Sequence, residues 1–228
     1  MIKINNLTKK YKGKLAIDNL NLEIKTGELF SLLGTNGAGK TTTIKMLSTL
    51  ILPTSGEVEI NNLDLVKDSS KIKEIINISP QETAVASNLT VLENLYFMAG
   101  IYQIPNKEDK IKELIKLFKL EEVLKQKAKT LSGGYQRKLS IAISLINDPK
   151  ILFLDEPTLG LDVISRHDLW KIIELLKGKT TIILTTHYME EAEALSDRIG
   201  IMNKGKLIEL GTSKELIKKA KTKNFEDA

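Results

Sequence analysis

The 228-residue chain contains no cysteine. That excludes disulfides and thiolate metal sites, and it fits a reducing compartment. No stretch approaches the ~18 apolar residues that would span a bilayer; the longest apolar runs, such as Ile151 to Leu154 and Ile182 to Leu184, are strand-sized. The first residues, Met1-Ile2-Lys3-Ile4-Asn5, lack the apolar core of a secretory signal. These absences predict a soluble chain that stays where it is made. There is no tandem repeat, no low-complexity linker and no sustained heptad pattern. A dense stripe of basic and aromatic residues, of the kind that holds nucleic acid, is also missing. Histidine is scarce, with only His167 and His187.

At 42% apolar and 28% charged residues, the composition is that of a globular protein. The length suits one α/β domain carrying an inserted subdomain and suffices for a sizeable core. The net charge of +5 would suit an anionic partner such as a membrane face or nucleic acid. The lysines, however, are spread along the chain and often alternate with glutamates, the pattern of a solvated surface.

Periodicity divides the chain into alternating elements. Ala16 to Ile24 alternates as a strand does, and Leu29 to Leu33 is a short apolar run that ends at Gly34. A helix is expected over Thr41 to Leu50, with strands over Glu57 to Ile60 and Ile75 to Ile78. From about Leu89 the spacing turns helical (Val91, Leu92, Leu95, Tyr96, Met98). A second amphipathic stripe follows Pro105 (Ile111, Leu114, Ile115, Phe118). This block, residues 89–129, reads as a helical insertion in an α/β core made of 1–88 and 130–228. Beyond it the pattern predicts a helix from Gly134 to Ile146, a strand at Ile151 to Leu154 and a helix at Val163 to Leu176. A strand at Thr180 to Thr185 and a helix at Glu190 to Leu195 come next. A hairpin of Ile199 to Met202 and Leu207 to Leu210 turns at Lys204-Gly205. The last helix, Ser213 to Lys219, would take Ser213 as its N-cap. Alternation of this kind implies a largely parallel sheet covered on both faces.

The stretch Gly34-Thr35-Asn36-Gly37-Ala38-Gly39-Lys40-Thr41 matches G-x-x-x-x-G-K-[ST] and lies between a predicted strand and a predicted helix, the context in which that pattern binds phosphate. Its glycines let successive N–H groups turn inward, and the helix start adds the positive end of a dipole. Lys40 supplies a point charge for the outer phosphates, and the Thr41 hydroxyl suits Mg²⁺. A second chemical signal is Asp155-Glu156 at the end of the run Ile151 to Leu154. In an open parallel sheet, ligands gather outside the carboxyl ends of strands, so these carboxylates and the loop can share one edge. Asp155 would hold Mg²⁺ through its water shell, and Glu156 would activate or orient the attacking water. His187 follows a strand and falls at the same edge, whereas His167 lies within a helix and reads as a solvated residue. Leu131-Ser132-Gly133-Gly134 precedes a helix and offers a second anion site. One NTPase domain has little use for a second phosphate site except on the nucleotide of another copy.

With these motifs in this order, the chain resembles, over nearly its full length, the nucleotide-binding cassette of an ABC transporter. The resemblance rests on GTNGAGKT (Gly34 to Thr41), Gln81, LSGG (Leu131 to Gly134), ILFLDE (Ile151 to Glu156), the loop ending at Asp162, and His187. It implies a P-loop NTPase core with an N-terminal antiparallel β subdomain and an inserted helical subdomain. It also implies ATP and Mg²⁺ as cofactors. Nucleotide contacts would come from Tyr11 stacking on adenine, from the loop through Thr42, and, from the opposite subunit, from Ser132, Gly133 and Gly134. Asp162 would link the two sites. Thr41, Gln81 and Asp155 would serve the metal, and Glu156, His187 and Gln81 the hydrolysis. Gln81 would pass the nucleotide state to the helical block. The implied partners are a second copy, in a head-to-tail dimer, and a permease on another chain; no nucleic acid is expected. The chain would sit on the cytoplasmic face of the membrane and energise an exporter. Alternative memberships are an importer cassette or a soluble ABC ATPase acting on ribosomes or nucleic acid. Where the family usually reads LSGGQ, Tyr135 follows Gly134 and the glutamine comes next, as Gln136. That departure, and Thr186 to Glu193, are similar to the multidrug and type-2 exporter group.

Overall fold

The computed structural model describes residues 1–228. Two sheets organise it. The first is antiparallel, in the order β2-β1-β4-β5, built from β1 (Ile2–Tyr11), β2 (Lys14–Ile24), β4 (Ser55–Ile60) and β5 (Leu63–Asp64). The second has six strands in the order β10-β9-β3-β8-β7-β6: β3 (Leu29–Leu33), β6 (Ile76–Ser79), β7 (Ile151–Asp155), β8 (Thr181–Thr186), β9 (Arg198–Asn203) and β10 (Lys206–Gly211). It is parallel throughout except for the β9–β10 hairpin at its edge. This is the expected α/β class with an N-terminal antiparallel sheet.

The apolar runs of the central strands follow from burial on both faces. Along β7, Leu152 and Leu154 join a core shared with the helices of the insertion, while Ile151 and Phe153 join a core shared with the antiparallel sheet. The insertion consists of α3 (Val91–Ile101), α4 (Lys107–Phe118) and two short 3-10 turns. α3 opens on a reciprocal capping box between Thr90 and Glu93. The ends of the block are tied together: Val91 N–H donates to Gln126 O, and Ala128 N–H donates to Leu89 O. Val91, Leu95, Ile111 and Phe118 pack in one core with Leu139, Leu152 and Trp170, so the insertion is fused to the sheet along one side.

The remaining helices are α1 (Lys40–Leu47), α2 (Ser69–Ile75), α5 (Gly133–Ser144), α6 (Val163–Leu176), α7 (Met189–Leu195) and α8 (Ser213–Ala220). Many boundaries shift by one or two residues from the expected ones, and four differences have a local cause or change an assignment. α1 ends at Leu47 rather than Leu50, because Ser48 caps it and Thr49 turns to a φ of 63°. α5 ends at Ser144, short of the expected Ile146. Ile75 closes α2, a helix the reading did not contain, and the strand starts one residue later. α8 is capped by Thr212, not Ser213: Thr212 Oγ1 accepts from Glu215 N–H, and the Glu215 carboxylate accepts from Thr212 N–H. Glycine is required where β4 passes β1. Gly56 has a φ of +92°, and a Cβ there would lie 2.4 Å from the Asn6 carbonyl oxygen.

Candidate active site

The edge where β3, β7 and β8 end carries the chemistry. The chain leaves β3 at Gly34, where a Cβ would lie 2.4 Å from the Met202 carbonyl oxygen, and enters α1 through Gly39 at a φ of +110°. Lys40 opens the helix but points back across the loop. Its Nζ donates to Gly34 O at 2.6 Å and to Thr35 O at 3.2 Å, and it lies 3.1 Å from Glu156 Oε1. Both side chains of this ion pair are almost fully buried. A buried pair of this kind is held by geometry: its desolvation offsets most of the Coulombic gain.

Asp155 and Glu156 are placed by the register of β7 on β8, which sets Asp155 opposite Thr185. The Thr185 hydroxyl donates to Asp155 Oδ1 at 2.5 Å, and Glu156 N–H donates to Thr185 Oγ1 at 3.0 Å. Thr41 Oγ1 donates to the same Asp155 oxygen at 3.1 Å. Glu156 sits at a φ of 48°, a region a non-glycine residue occupies at a cost and mainly at functional sites. That turn directs its side chain between Lys40 and His187, whose Nδ1 is 2.7 Å from Glu156 Oε2. A carboxylate can only accept, so Nδ1–H donates and Nε2 is left free.

A cleft of about 790 Å³ lies against these groups. It is lined by Asn36 to Thr42, Gln81 and Glu156, and by Tyr11 and Ala16 of the antiparallel sheet. Its size suits a nucleotide. Tyr11, at the end of β1, is half exposed, with Lys9 Nζ 5.0 Å from its ring centre. The loop N–H groups and Lys40 are donors for phosphate. The Thr41 hydroxyl and the Asp155 carboxylate are hard oxygen donors, adjacent to each other, of the kind Mg²⁺ takes. No group of three or more His, Asp or Glu side chains gathers to cage a metal; Mg²⁺ commonly binds through one or two protein oxygens with substrate phosphates completing its shell.

Thus Tyr11, Asn36 to Thr42, Gln81, Asp155, Glu156 and His187 are brought to one region. Gly34 and Thr35 form the back of the loop and line a neighbouring cavity with His187 and Phe225. Ser132, Gly133, Gly134 and Asp162 do not line the cleft. Ser132 caps α5, accepting from Tyr135 N–H at 3.4 Å. Asp162 caps α6, accepting from Ser165 N–H at 3.0 Å and Ser165 Oγ at 2.7 Å; these bonds hold its carboxyl below the usual range. A Cβ on Gly134 would meet Ser165 Oγ at 2.8 Å. The two helix starts therefore touch and form a second, separate cluster. His167 is exposed, its ring edge-on to Trp170 at 4.8 Å, as a solvated helix residue would be.

Arg137 is not among the site residues expected from sequence. Its guanidinium is buried, with Nη1 donating to Pro80 O at 2.7 Å and Nη2 donating to Gln81 O at 2.7 Å and Glu156 O at 3.2 Å. Burial pushes its pKa down, while Asp155 and Glu191 draw it back up. It ties α5 to the strand end and to the segment bearing Gln81. Helical spacing puts Arg137 on the same face as the buried Ile141 and Ser144, which marks it as buried but does not reveal its carbonyl partners. Arg137→Met is expected to destabilise the fold by about 3 kcal/mol, because three carbonyls lose a charged donor. Arg137→Lys recovers only part of this, lacking the planar fork. Urea unfolding followed by circular dichroism measures both.

Comparison with known proteins bears on the same residues. The family model described as "ABC transporter" matches residues 17–159, well over half of the chain. The chain belongs to the ABC transporter family. As an ATP-binding cassette of that family, it is 42% identical over 218 residues to the human "Phospholipid-transporting ATPase ABCA3", covering 93% of this chain and 13% of that protein. It is 40% identical over 229 residues to the "Probable multidrug ABC transporter ATP-binding protein YbhF" of Escherichia coli, covering 99% and 39%. The cassette thus spans a minor part of both relatives. Among solved structures, it is similar to the "ATP-binding cassette MJ0796 bound to ADP and Pi", a dimer, with a TM-score of 0.83 and 30% identity, covering 93% of this chain and 98% of that one. It is also similar to cbiO1 of Clostridium perfringens, part of an ABC transporter complex, with a TM-score of 0.86 and 28% identity over 95% and 90%. No helix of the cassette is long and apolar enough to cross a membrane.

Proposed function

We propose that this cassette hydrolyses ATP with Mg²⁺, as a head-to-tail dimer, to drive a membrane exporter whose spanning permease is a separate chain. The observation that carries this reading is the split of the anion-binding groups. Lys40, Thr41 and Glu156 line one cleft, with Asp155 and His187 hydrogen-bonded to its wall through Thr41 and Glu156, while Ser132 to Gly134 and Asp162 stand outside it and have no such contact. Groups outside the cleft serve the nucleotide when a second copy brings them to it.

In this reading the loop residues Gly34 to Thr42 hold the phosphates and Tyr11 stacks on the base. Thr41 and Asp155, with Gln81, hold Mg²⁺, which when bound neutralises the charge developing on the transferred phosphoryl group. Glu156 orients and deprotonates the attacking water, and His187 contacts the γ-phosphate through its free Nε2. ATP closes the dimer because it touches both copies, and loss of the γ-phosphate opens it. Residues 89–129 move as the output element. Gln81 reports the nucleotide state to them through its segment, which Arg137 anchors. On α3, Phe97 and Ile101 are more than half exposed at i, i+4 spacing, an apolar patch suited to a permease. Docking there places the chain peripherally on the cytoplasmic membrane face.

The test is phosphate release by the purified chain. The rate should require Mg²⁺, stop on adding EDTA and rise more steeply than linearly with chain concentration. Isolation from detergent-solubilised membranes should bring down a membrane-spanning protein. A rate linear in chain concentration, or recovery with ribosomes or DNA and no spanning partner, contradicts the reading.

A further inference from the structure

Glu191, in the first turn of α7, is completely buried and takes no part in the chemistry described above. Trp170 Nε1 of α6 donates to its Oε1 at 3.0 Å. Its other oxygen is buried without a partner of good hydrogen-bond geometry, and so is the hydroxyl of Thr158. The hydroxyls of Thr158 and Thr186 lie near enough to the carboxyl to draw its pKa down.

Those two threonines belong to the segments that carry the hydrolytic pair. Thr158 lies two residues past Glu156, in the turn closed by Leu159 N–H to Glu156 O at 3.2 Å. Thr186 precedes His187, and its hydroxyl accepts the Tyr188 N–H at 3.0 Å, fixing the turn that presents the imidazole. Three segments therefore meet at one carboxyl group: the turn after β7, the turn after β8, and α6.

We propose that Glu191 is a positioning residue for ATP hydrolysis, its carboxyl group bracing the Glu156 turn against the His187 turn so that the two side chains stay within hydrogen-bond reach. This rests on the reading of Glu156 and His187 as the hydrolytic pair. Burial, reinforced by the charge of Glu156, raises the Glu191 pKa, and the hydroxyls and the indole N–H draw it part of the way back. A carboxyl group offers two acceptor oxygens and, when protonated, one O–H donor, a capacity matched by one indole donor and two hydroxyls. Arg137 and Glu156 are the charged groups whose influence reaches it. Small displacements of a reacting pair are costly, on the order of a hundredfold in rate per ångström.

The experiment is steady-state ATP hydrolysis by the full chain carrying Glu191→Ala, Glu191→Gln or Thr158→Val, with melting followed in parallel. Glu191→Ala should lower kcat by about tenfold or more while KM for ATP stays within about threefold, the pattern of a lost transition-state alignment. Glu191→Gln, which keeps shape, a donor and an acceptor, should return kcat to within about threefold of the wild type. Thr158→Val should fall in the same direction as alanine. A merely structural Glu191 would lower the melting temperature of the alanine variant and leave kcat unchanged below it, which overturns the proposal. A glutamine variant as slow as the alanine variant overturns it too. Should alanine prevent folding, wild-type kcat in Thr158→Val is decisive against the brace. Wild-type turnover in Glu156→Gln would instead undo the site reading itself.

Discussion

Glu156→Gln is expected to reduce ATP turnover by about 10²–10⁴-fold, the range for loss of a positioned general base, while ATP binding is retained. The amide keeps the shape of the side chain and can still accept from His187 Nδ1–H, whose nitrogen lies 2.7 Å from Oε2. What it loses is basicity toward a water molecule and the charge facing Lys40. Without nucleotide, that second loss leaves a buried ammonium with the Gly34 and Thr35 carbonyls as its remaining partners. The nucleotide-free variant should therefore be less stable than the wild type by about 1–3 kcal/mol. Bound ATP should reverse the difference, because phosphate replaces the missing carboxylate charge and binding stabilises the folded form by linkage. The variant should also accumulate as an ATP-bound dimer, since the opening step follows hydrolysis. A coupled phosphate-release assay, thermal melting with and without ATP, and sedimentation with ATP give the three readings. Wild-type hydrolysis would remove Glu156 from its role; unchanged rates with full Mg²⁺ dependence would require a different base.

How much of this was legible beforehand depended on whether the signal was local. The strand–loop–helix unit from Leu29 through α1 is written in consecutive residues: an apolar run, glycines where the backbone turns, then Lys-Thr. β7 was legible for the same reason, its apolar run ending on two carboxylates. β1 was not singled out as a strand, because its buried residues Ile2, Ile4 and Leu7 do not keep period 2. The pairing shifts after Ile4, near Asn6 at a φ of 49°, and a bulge of this kind re-aims the side chains that follow. α2 is only seven residues long with one buried side chain, Ile72, too little for an amphipathic pattern to register. The cap of α8 was misplaced by one residue because Thr212 and Ser213 are both suitable caps; Glu215, three residues after Thr212, decides between them. Arg137 and Glu191 were illegible in a stronger sense. Each is one charged residue among other polar ones in its helix; the carbonyls that hold Arg137 lie 19–57 residues away in sequence, and of the groups at Glu191 the Trp170 indole and the Thr158 hydroxyl lie 21 and 33 residues away, only Thr186 being near in sequence. Tertiary approach creates such partners, and no local period encodes them.

Lys40→Met is expected to weaken ATP binding by about 2–5 kcal/mol, the cost of removing one member of a buried charged contact, so Kd rises roughly thirtyfold to several-thousandfold. Methionine fills the volume of the stem and leaves the loop glycines and α1 in place, so the change isolates the ammonium group. Two consequences separate this from a general loss of folding. First, the free protein loses the Lys40–Glu156 ion pair at 3.1 Å, and the Glu156 carboxylate is left with the His187 ring as its side-chain partner. A buried carboxylate that has lost its cation destabilises the folded form, so the nucleotide-free variant should melt below the wild type, and adding Glu156→Gln should recover part of the loss by removing the unpaired charge. Second, Lys40→Arg should not restore binding. The wild-type ammonium is a compact donor seated between two carbonyls with its side chain almost fully buried, and a planar guanidinium needs more room and a different geometry. Isothermal titration with a slowly hydrolysed ATP analogue gives the affinity, and melting curves of the single and double variants give the stability difference. Wild-type affinity in Lys40→Met would show that the loop N–H groups alone hold the phosphates. An Arg variant that binds as tightly as lysine would show that charge, and not the compact fit between Gly34 O, Thr35 O and Glu156, governs the site.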